Sequence, residues 1–396
     1  MRIIRLSGGK QERSIRTLHG VLPVRRTVLR PRNNESRARL LREEGIKNII
    51  PIDELLRIDK LPFKMTVSMM MEIAEEAVIQ NSYEAVEKRF REKKCIDISD
   101  DLVRAVVDFV GERVVEDNRK MAEQAQLIYA EDREKKLRKS PENGILYLET
   151  DGASVCTRGE DGQGTFWHEN KLGMAFNSAD IHFWTNRNGE RQHRIQKREF
   201  INFLGSASEF KYHCLNLAMK HGVYERQEVV LISDGALWIQ NMASEIIPDA
   251  VHIIDLFHLK ENVGEYAKAV IGEKAEQSHI WTSRICNDLE EGKWRGVLKE
   301  LKAYQNIQLP PGVPNLYTYI ETHRDCIDYP SYKKKGYFIG SGAIESANRY
   351  VMQNRLKLPG MRWTKDGAQR MLALKAKYES HLWDDVERLV RIHLGL

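Results

Sequence analysis

The feature that most constrains this chain is a change of hydrophobic period near residue 145. Before it, apolar residues recur three and four apart over 65–79, 83–90 and 102–115, the spacing of amphipathic helices. The last of these opens at Ser99, a good N-cap, with Asp100 and Asp101 in the electropositive first turn. A polar helix or linker over 116–139 leads to Pro141 and Gly144. From 145 the period becomes that of strands. Residues 145–150 form a short apolar run ending in Asp151-Gly152, and 171–184 and 194–204 read as two more strands with turns at Asn177-Ser178 and Asn188-Gly189. A helix (208–220), a strand (229–233), a helix (236–247), a strand (251–256) and a helix (260–271) follow. Three consecutive strands and then alternating helices and strands predict an α/β fold, a mixed sheet with helices on its faces. In such sheets the chemistry gathers at strand ends.

The flanks read differently. Residues 18–30 alternate around Gly20 and Pro23, which predicts a short hairpin or edge strand. Helical spacing returns over 277–304, with Trp281, Ile285, Leu289, Trp294, Leu298 and Leu301, and predicts a helical insertion with a small core of its own. Pro310-Pro311-Gly312-Val313-Pro314 closes it, and Gly340-Ser341-Gly342 opens a helix carrying Glu345. The expected organisation is a basic segment with short strands (1–60), a helical region (61–140), the first part of the α/β core (141–271), the insertion (272–335) and a completing part with basic helices (336–396).

Charge is uneven along the chain. Residues 1–50 hold thirteen Lys/Arg against four Glu, and 333–378 hold eleven Lys/Arg against Glu345 and Asp366, although the whole chain carries only +5. Two basic blocks on a nearly neutral chain suit a polyanionic partner, because each neutralised phosphate releases condensed counterions. The five cysteines are scattered and contain no Cys-x-x-Cys pair, which argues against a disulfide framework or a zinc ribbon and for a reducing compartment. No apolar run reaches the roughly 20 residues of a membrane span, so a cytoplasmic, nucleoid-associated protein with no membrane partner is expected.

Three acids occupy comparable settings. Asp151 ends the run LYLETDG, Asp234 ends VVLISDG, and Glu345 lies one turn into the helix of GSGAIES. An aspartate leaving a buried strand before a glycine projects its carboxylate where the chain can turn and a bulky ligand can approach. Two such carboxylates with a third from a helix suit a pair of divalent ions and phosphodiester cleavage without a covalent protein nucleophile. A fourth feature, Asp255-Leu-Phe-His258, leaves the strand 251–256 for the next helix. There His258 either assists proton transfer at a phosphate or merely pairs with Asp255 and the helix end.

The stretches LYLETDGASVCTRGEDGQGTFWHENKLGM, VVLISDGALWI, IIDLFHLKENV and KGYFIGSGAIESANRYVMQNRLKLPGMRW, with weaker similarity in TLHGVLPVRRTVLR, IPIDELLRID and NSYEAVEKRF, resemble the ISLre-type insertion-sequence transposases. These are DDE transposases related to Mutator-like elements. The resemblance implies a ribonuclease-H-like mixed sheet interrupted by an α-helical insertion and preceded by a mainly helical region. It implies that Asp151, Asp234 and Glu345 are the metal-binding triad, with Asp255 and His258 as a signature pair. It also implies Mg²⁺ (or Mn²⁺), cleavage at element ends and strand transfer to target DNA. The stretch ahead of Thr17 is shorter than the family suggests, which implies a truncated start or a misplaced initiator.

Double-stranded DNA is the expected partner, bound by a homo-oligomer. A helix-turn-helix reader over 65–115, with 99–115 as recognition helix and Arg104 in its exposed early turns, is one expected contact. A plain packing or dimerisation unit is the other reading of that region. Asn348 and Arg349, three and four residues after Glu345, are expected to share its helix face beside the metals. Arg355, Lys357 and Arg362 are expected to bind DNA with the second basic block, and Trp363 to be a core residue. Two alternatives remain open at this point: a structure-specific nuclease without strand transfer, and a catalytically silent DNA-binding protein derived from a transposase.

Overall fold

A computed structural model describes residues 6–45, 48–131, 144–159, 163–189, 191–225, 228–272, 276–340 and 342–396. Arg2, Arg5, Lys47, Pro141 and Ser341, which bear on the sequence-based expectations, lie outside them. The chain folds as two compact units, 1–117 with 381–396, and 118–380.

The first unit opens with a hairpin much longer than the sequence suggests, β1 (Leu6–Thr17) paired antiparallel with β2 (Gly20–Pro31) through the two-residue turn Leu18-His19. Its first strand, LSGGKQERSIRT, has no apolar alternation, and pairing with β2 rather than local preference makes it extended. Arg13 on β1 and Arg26 on β2 converge on Asp53 of α2 (Pro51–Leu55), which follows α1 (Asn34–Glu44). That carboxylate is 5% exposed, so two of the basic residues counted above neutralise an internal acid. Helices α3 (Val67–Ile79) and α4 (Tyr83–Arg89) begin at the N-caps Thr66 and Ser82. Helix α5 (Asp100–Glu131) is one helix of 32 residues, so of the two readings of 116–139, polar helix or linker, the helix holds as far as Glu131. Val103, Val106, Val107, Val110 and Val114 line its buried stripe. The C-terminal α16 (Trp383–Leu394) also belongs to this unit and buries Val386, Val390 and Leu394.

The second unit is a five-stranded mixed sheet. Its strands are β3 (Ile145–Arg158), β4 (Thr165–Asn177), β7 (Glu199–Leu204), β8 (Glu228–Ser233) and β9 (Val251–Ile254), in the order β7-β4-β3-β8-β9. Neighbours β7, β4 and β3 are antiparallel, and β3, β8 and β9 are parallel. The stretches read as two strands over 171–204 are four, because a separate ribbon, β5 (Ile181–Thr185) with β6 (Arg191–Ile195), is inserted between β4 and β7.

Alternation along the strands feeds two cores. Tyr147, Leu172, Met174, Phe176, Val230 and Ile232 face one side, and Leu146, Leu148, Ala175 and Leu231 the other. Helices α6 (Ala207–Lys220) and α7 (Leu237–Ile246) cover the second side. Helix α8 (Leu256–Val270) covers the first, together with α9 (Glu276–Glu290), α10 (Trp294–Leu301), α11 (Leu316–Thr322) and α12 (Tyr329–Lys335). The expected insertion therefore has no core of its own. Ile285, Leu289, Val297, Leu301, Leu316 and Ile320 join the same cluster as the sheet residues.

Helix α13 (Gly342–Ala347) continues through a π-helical stretch, Asn348–Gln353, into α14 (Asn354–Leu356). Helix α15 (Lys365–Glu379) and the residue after it shield the edge strand β7. Ser380 Oγ accepts from Phe200 N at 2.8 Å, Gln369 Oε1 accepts from Leu204 N at 2.7 Å, and Asn202 Nδ2 donates to Leu372 O at 2.7 Å. Among the described residues no helix is long and apolar enough to cross a membrane.

The two guanidiniums on one acid give the first prediction. Replacing Asp53 by Ala leaves Arg13 and Arg26 crowded without a counter-charge and is expected to destabilise the first unit by about 2 kcal/mol, part of the full cost of breaking a buried pair. Amide hydrogen exchange across β1 and β2 measures this, and unchanged exchange contradicts it.

Candidate functional site

The acids singled out from sequence meet at one rim of the sheet, though not all in the expected local setting. Asp151 does not end a strand. It lies inside β3, where it pairs with Leu172 of β4, and the following Gly152 makes no turn. What ends near Asp151 is the pairing of β3 with β8, which stops at Glu149 opposite Ile232. Asp151 thus stands just past the carboxyl end of the parallel half of the sheet, where its carboxylate clears the neighbouring strand. A Cβ on Gly152 would lie 2.5 Å from Glu169 Oε1, the far end of a half-exposed side chain that can move aside.

Asp234 matches the expectation. It follows β8, its Oδ1 accepts from Ala236 N at 2.8 Å, and Gly235 takes a φ of +89° that few side chains tolerate. The turn is held from outside by α11. Tyr319 Oη donates to Asp234 O at 2.7 Å, and His323 Nε2 lies 2.9 Å from Gly235 O. A Cβ on Gly235 would strike that imidazole at 2.8 Å.

Asp255 is wholly buried and caps α8, its Oδ1 accepting from Phe257 N at 2.5 Å and His258 N at 3.2 Å. This cap places His258 on the first turn, with Nε2 3.5 Å from Glu345 Oε1 and Nδ1 3.3 Å from Glu261 Oε2. One ligand-capable atom each from Asp255, His258 and Glu345 lies within 4.8 Å of the others, so this trio satisfies the spacing of a metal site. The sequence places His258 outside the expected ligand set, and by distance it belongs among the ligand-capable groups.

Electrostatics joins this trio to the aspartates. Burial pushes the Asp151 carboxyl above its ordinary range, and the nearby charge of Asp234 pushes it the same way, against the Gly152 N–H, His258 and Asn348. Burial likewise raises Glu345, with Asp255, Glu261 and Asp151 adding to it and His258 opposing. Asp151, Asp234, Asp255, Glu345 and His258 therefore form one field in which carboxylates repel each other, the condition that a divalent cation relieves.

Two residues complete the rim in ways the sequence does not foretell. Glu149, on the same face of β3 as Asp151, is 2% exposed and accepts from Ile344 N at 3.0 Å. Burial pushes its carboxyl up to about 8, with Asp255 and Glu345 contributing. Asn348 is 3% exposed and donates through Nδ2 to Asp151 Oδ2. Two residues apart on a strand and four apart on a helix are similar distances, so Glu149 and Asp151 on β3 match Ile344 and Asn348 on the helix. Glu345 is held between these two bonds.

The expected DNA contacts separate into two groups. Arg349, Lys357 and Arg362 are exposed, as is Arg104, whose Nη1 lies 3.6 Å from Asp101 Oδ1. Two others are corrected. Asn348 does not share an outer face with Arg349, because it lies four residues after the buried Ile344, on the stripe that faces the fold, and there it donates to Asp151. Arg355 is 2% exposed and lies over the Trp363 ring at 4.8 Å, so its charge is directed into the fold. Trp363 itself is buried, as expected.

The Glu149 carboxyl gives a pH prediction. Its folded-state value lies above that of the unfolded chain, so between about pH 5 and 8 the unfolded chain sheds a proton that the folded one keeps, and stability falls as pH rises. Glu149→Gln retains an acceptor for Ile344 N and is expected to flatten that fall. Equal slopes of unfolding free energy against pH in the two proteins contradict it.

No curated protein matches the chain in sequence. The profile of one family, described as an uncharacterised protein family (UPF0236), matches residues 10–390. That span takes in most of the hairpin, the whole mixed sheet and every acid of the rim, and the chain belongs to this family.

Proposed function

We propose that the protein is a divalent-metal-dependent DNA transposase that cleaves phosphodiesters at element ends and joins the exposed 3′-hydroxyl to target DNA. The observation that carries this reading is the clustering of Asp255, His258 and Glu345 within 4.8 Å, with Asp151 coupled electrostatically both to Glu345 and to Asp234, all from distant parts of the chain. The sheet supports it as well. Three antiparallel strands, then two parallel ones, with the first acid on the first strand, the second at the end of the fourth and the third on a later helix, is the arrangement a ribonuclease-H-like core requires.

The donor set fits a hard cation. Carboxylate oxygens crowd together there, those of Asp151 and Glu345 with raised proton affinity, and Mg²⁺ or Mn²⁺ prefers oxygen ligands. Asp151, Asp234 and Glu345 would hold it, with His258 within reach. A bound ion supplies Lewis acidity toward the phosphodiester and charge compensation for the leaving oxygen. The protein's own residues do the rest. Asn348 fixes the orientation of Asp151, Asp255 fixes His258 through the cap of α8, and His258 offers an imidazole at the acidic rim for proton transfer. The exposed Arg349, Lys357 and Arg362 provide phosphate contacts that set the position of DNA without reading its sequence.

The test is incubation of the purified protein with labelled element-end DNA, a second DNA and Mg²⁺. Asp151→Ala, Asp234→Ala and Glu345→Ala are each expected to lower cleavage by roughly 10²-fold or more, with DNA binding largely retained. Substantial cleavage by any of the three contradicts the assignment, and cleavage without joined products favours a nuclease. Asn348→Ala is expected to weaken Mn²⁺ binding, measured by calorimetry without DNA, by about 10- to 100-fold. Unchanged affinity removes Asn348 from the supporting role.

A further inference from the structure

Between β4 and β7 the chain carries a third basic stretch, in neither block noted above. Residues 182–198 contain Arg187, Arg191, Arg194, Lys197 and Arg198 against Glu190 alone. They form the β5–β6 ribbon and its exit, outside the five-stranded sheet.

The register gives the ribbon two unlike faces. On the inner face Ile181 pairs with Ile195 and Phe183 with His193. The two isoleucines pack on the core, and the His193 ring lies 4.6 Å from that of Phe338. This face touches the core through Ile181, Ile195 and the His193 ring, while Phe183 and His193 are themselves exposed. On the outer face His182 pairs with Arg194 and Trp184 with Gln192, and all four are exposed. The His182 and Trp184 rings stack at 6.0 Å and 19°. Trp184 is 42% exposed and Phe183 44%, so each face of the ribbon presents an aromatic ring to solvent, and on the outer one the ring stands beside an arginine and an amide. Arg187 and Lys197 are exposed too, and among the described residues neither they nor Arg194 takes part in an ion pair. Arg198 differs, pointing back over Phe200 and Tyr350 at 5.5 Å from each ring.

We propose that this ribbon is a DNA-contacting element that lays His182, Trp184, Gln192 and Arg194 in a groove of duplex DNA, with Arg187 and Lys197 on the flanking phosphates. A two-stranded ribbon fits the major groove, and arginine and glutamine side chains have the donors and acceptors to read base edges there. The proposal rests on the DNA-processing reading above. Leu146 pairs with Asn177 and Asp151 with Leu172, so the ribbon leaves β4 about five strand positions, or about 17 Å, from Asp151, toward the amino end of β3.

The experiment uses the full-length protein and labelled duplex DNA, with binding followed by fluorescence anisotropy over a salt series. Trp184→Ala is expected to weaken binding roughly 10-fold, and Trp184→Phe to restore most of it. The combined Arg187→Ala, Arg194→Ala and Lys197→Ala variant is expected to reduce the slope of log K against log salt by about 2 to 3. Unchanged thermal melting shows that the fold is kept, since these side chains lie on the surface. If the unaltered protein binds duplex and every variant matches it in affinity and slope, the ribbon proposal is overturned while the transposase reading stands. If the unaltered protein binds no DNA, both fall. If the variants change only the sedimenting mass, the ribbon is a self-association surface and the proposal is likewise overturned.

Discussion

Carboxylates that repel one another are forced together at the end of β3, and much of the second unit can be understood as the structure needed to keep them there. An ionised acid removed from water and left near other acids costs several kcal/mol unless something compensates. Here Glu149 and Asp255 are almost wholly buried, Asp151 is half-buried, and Glu345 faces all three. Local hydrogen bonds offset part of that cost: Ile344 N to Glu149, Asn348 to Asp151, and two amides of α8 to Asp255. A fold that keeps such an arrangement gives up stability at one place, which is where functional chemistry is usually found.

Support for the rim comes from several distant parts of the chain. The helices after β9 share the core of the sheet, and α11 reaches the turn of Asp234 with Tyr319 and His323. The segment before α13 is tied to the start of α8 by the bond from Leu256 N to Ile339 O at 2.9 Å. The helix bearing Glu345 continues into a π-helical stretch at Asn348, and its buried stripe, Ile344, Ala347, Asn348 and Val351, sets an inward amide beside the outward Arg349.

Much of this was legible in the sequence because local signals and tertiary demands agreed. The apolar run 229–233 is a buried strand, Asp234-Gly235 is a turn with positive φ at the glycine, and Asp255 lies where strand gives way to helix. The signal misled where pairing overrode it. Asp151-Gly152 has the composition of a turn, yet thirteen consecutive residue pairs with β4 keep it extended. The β1 strand, without apolar alternation, takes its shape from its partner. Glu149 carries no signal of its own, because one acid inside LYLETDG has the look of an interruption in an apolar strand. Asn348 and Arg355 carry polar side chains that suggest a surface, yet they lie four and eleven residues after Ile344 on the buried stripe, where Asp151 and the Trp363 ring receive them.

The central claim is that Asp151, Asp234 and Glu345 together hold a divalent cation. The most direct measurement is anomalous diffraction from crystals of the protein soaked in Mn²⁺. The account predicts a manganese peak bounded by these three carboxylates, lost when Asp151 is replaced by Asn. Manganese bound only elsewhere, or a peak at the rim that persists with Asp151 and Asp234 both replaced, would contradict it.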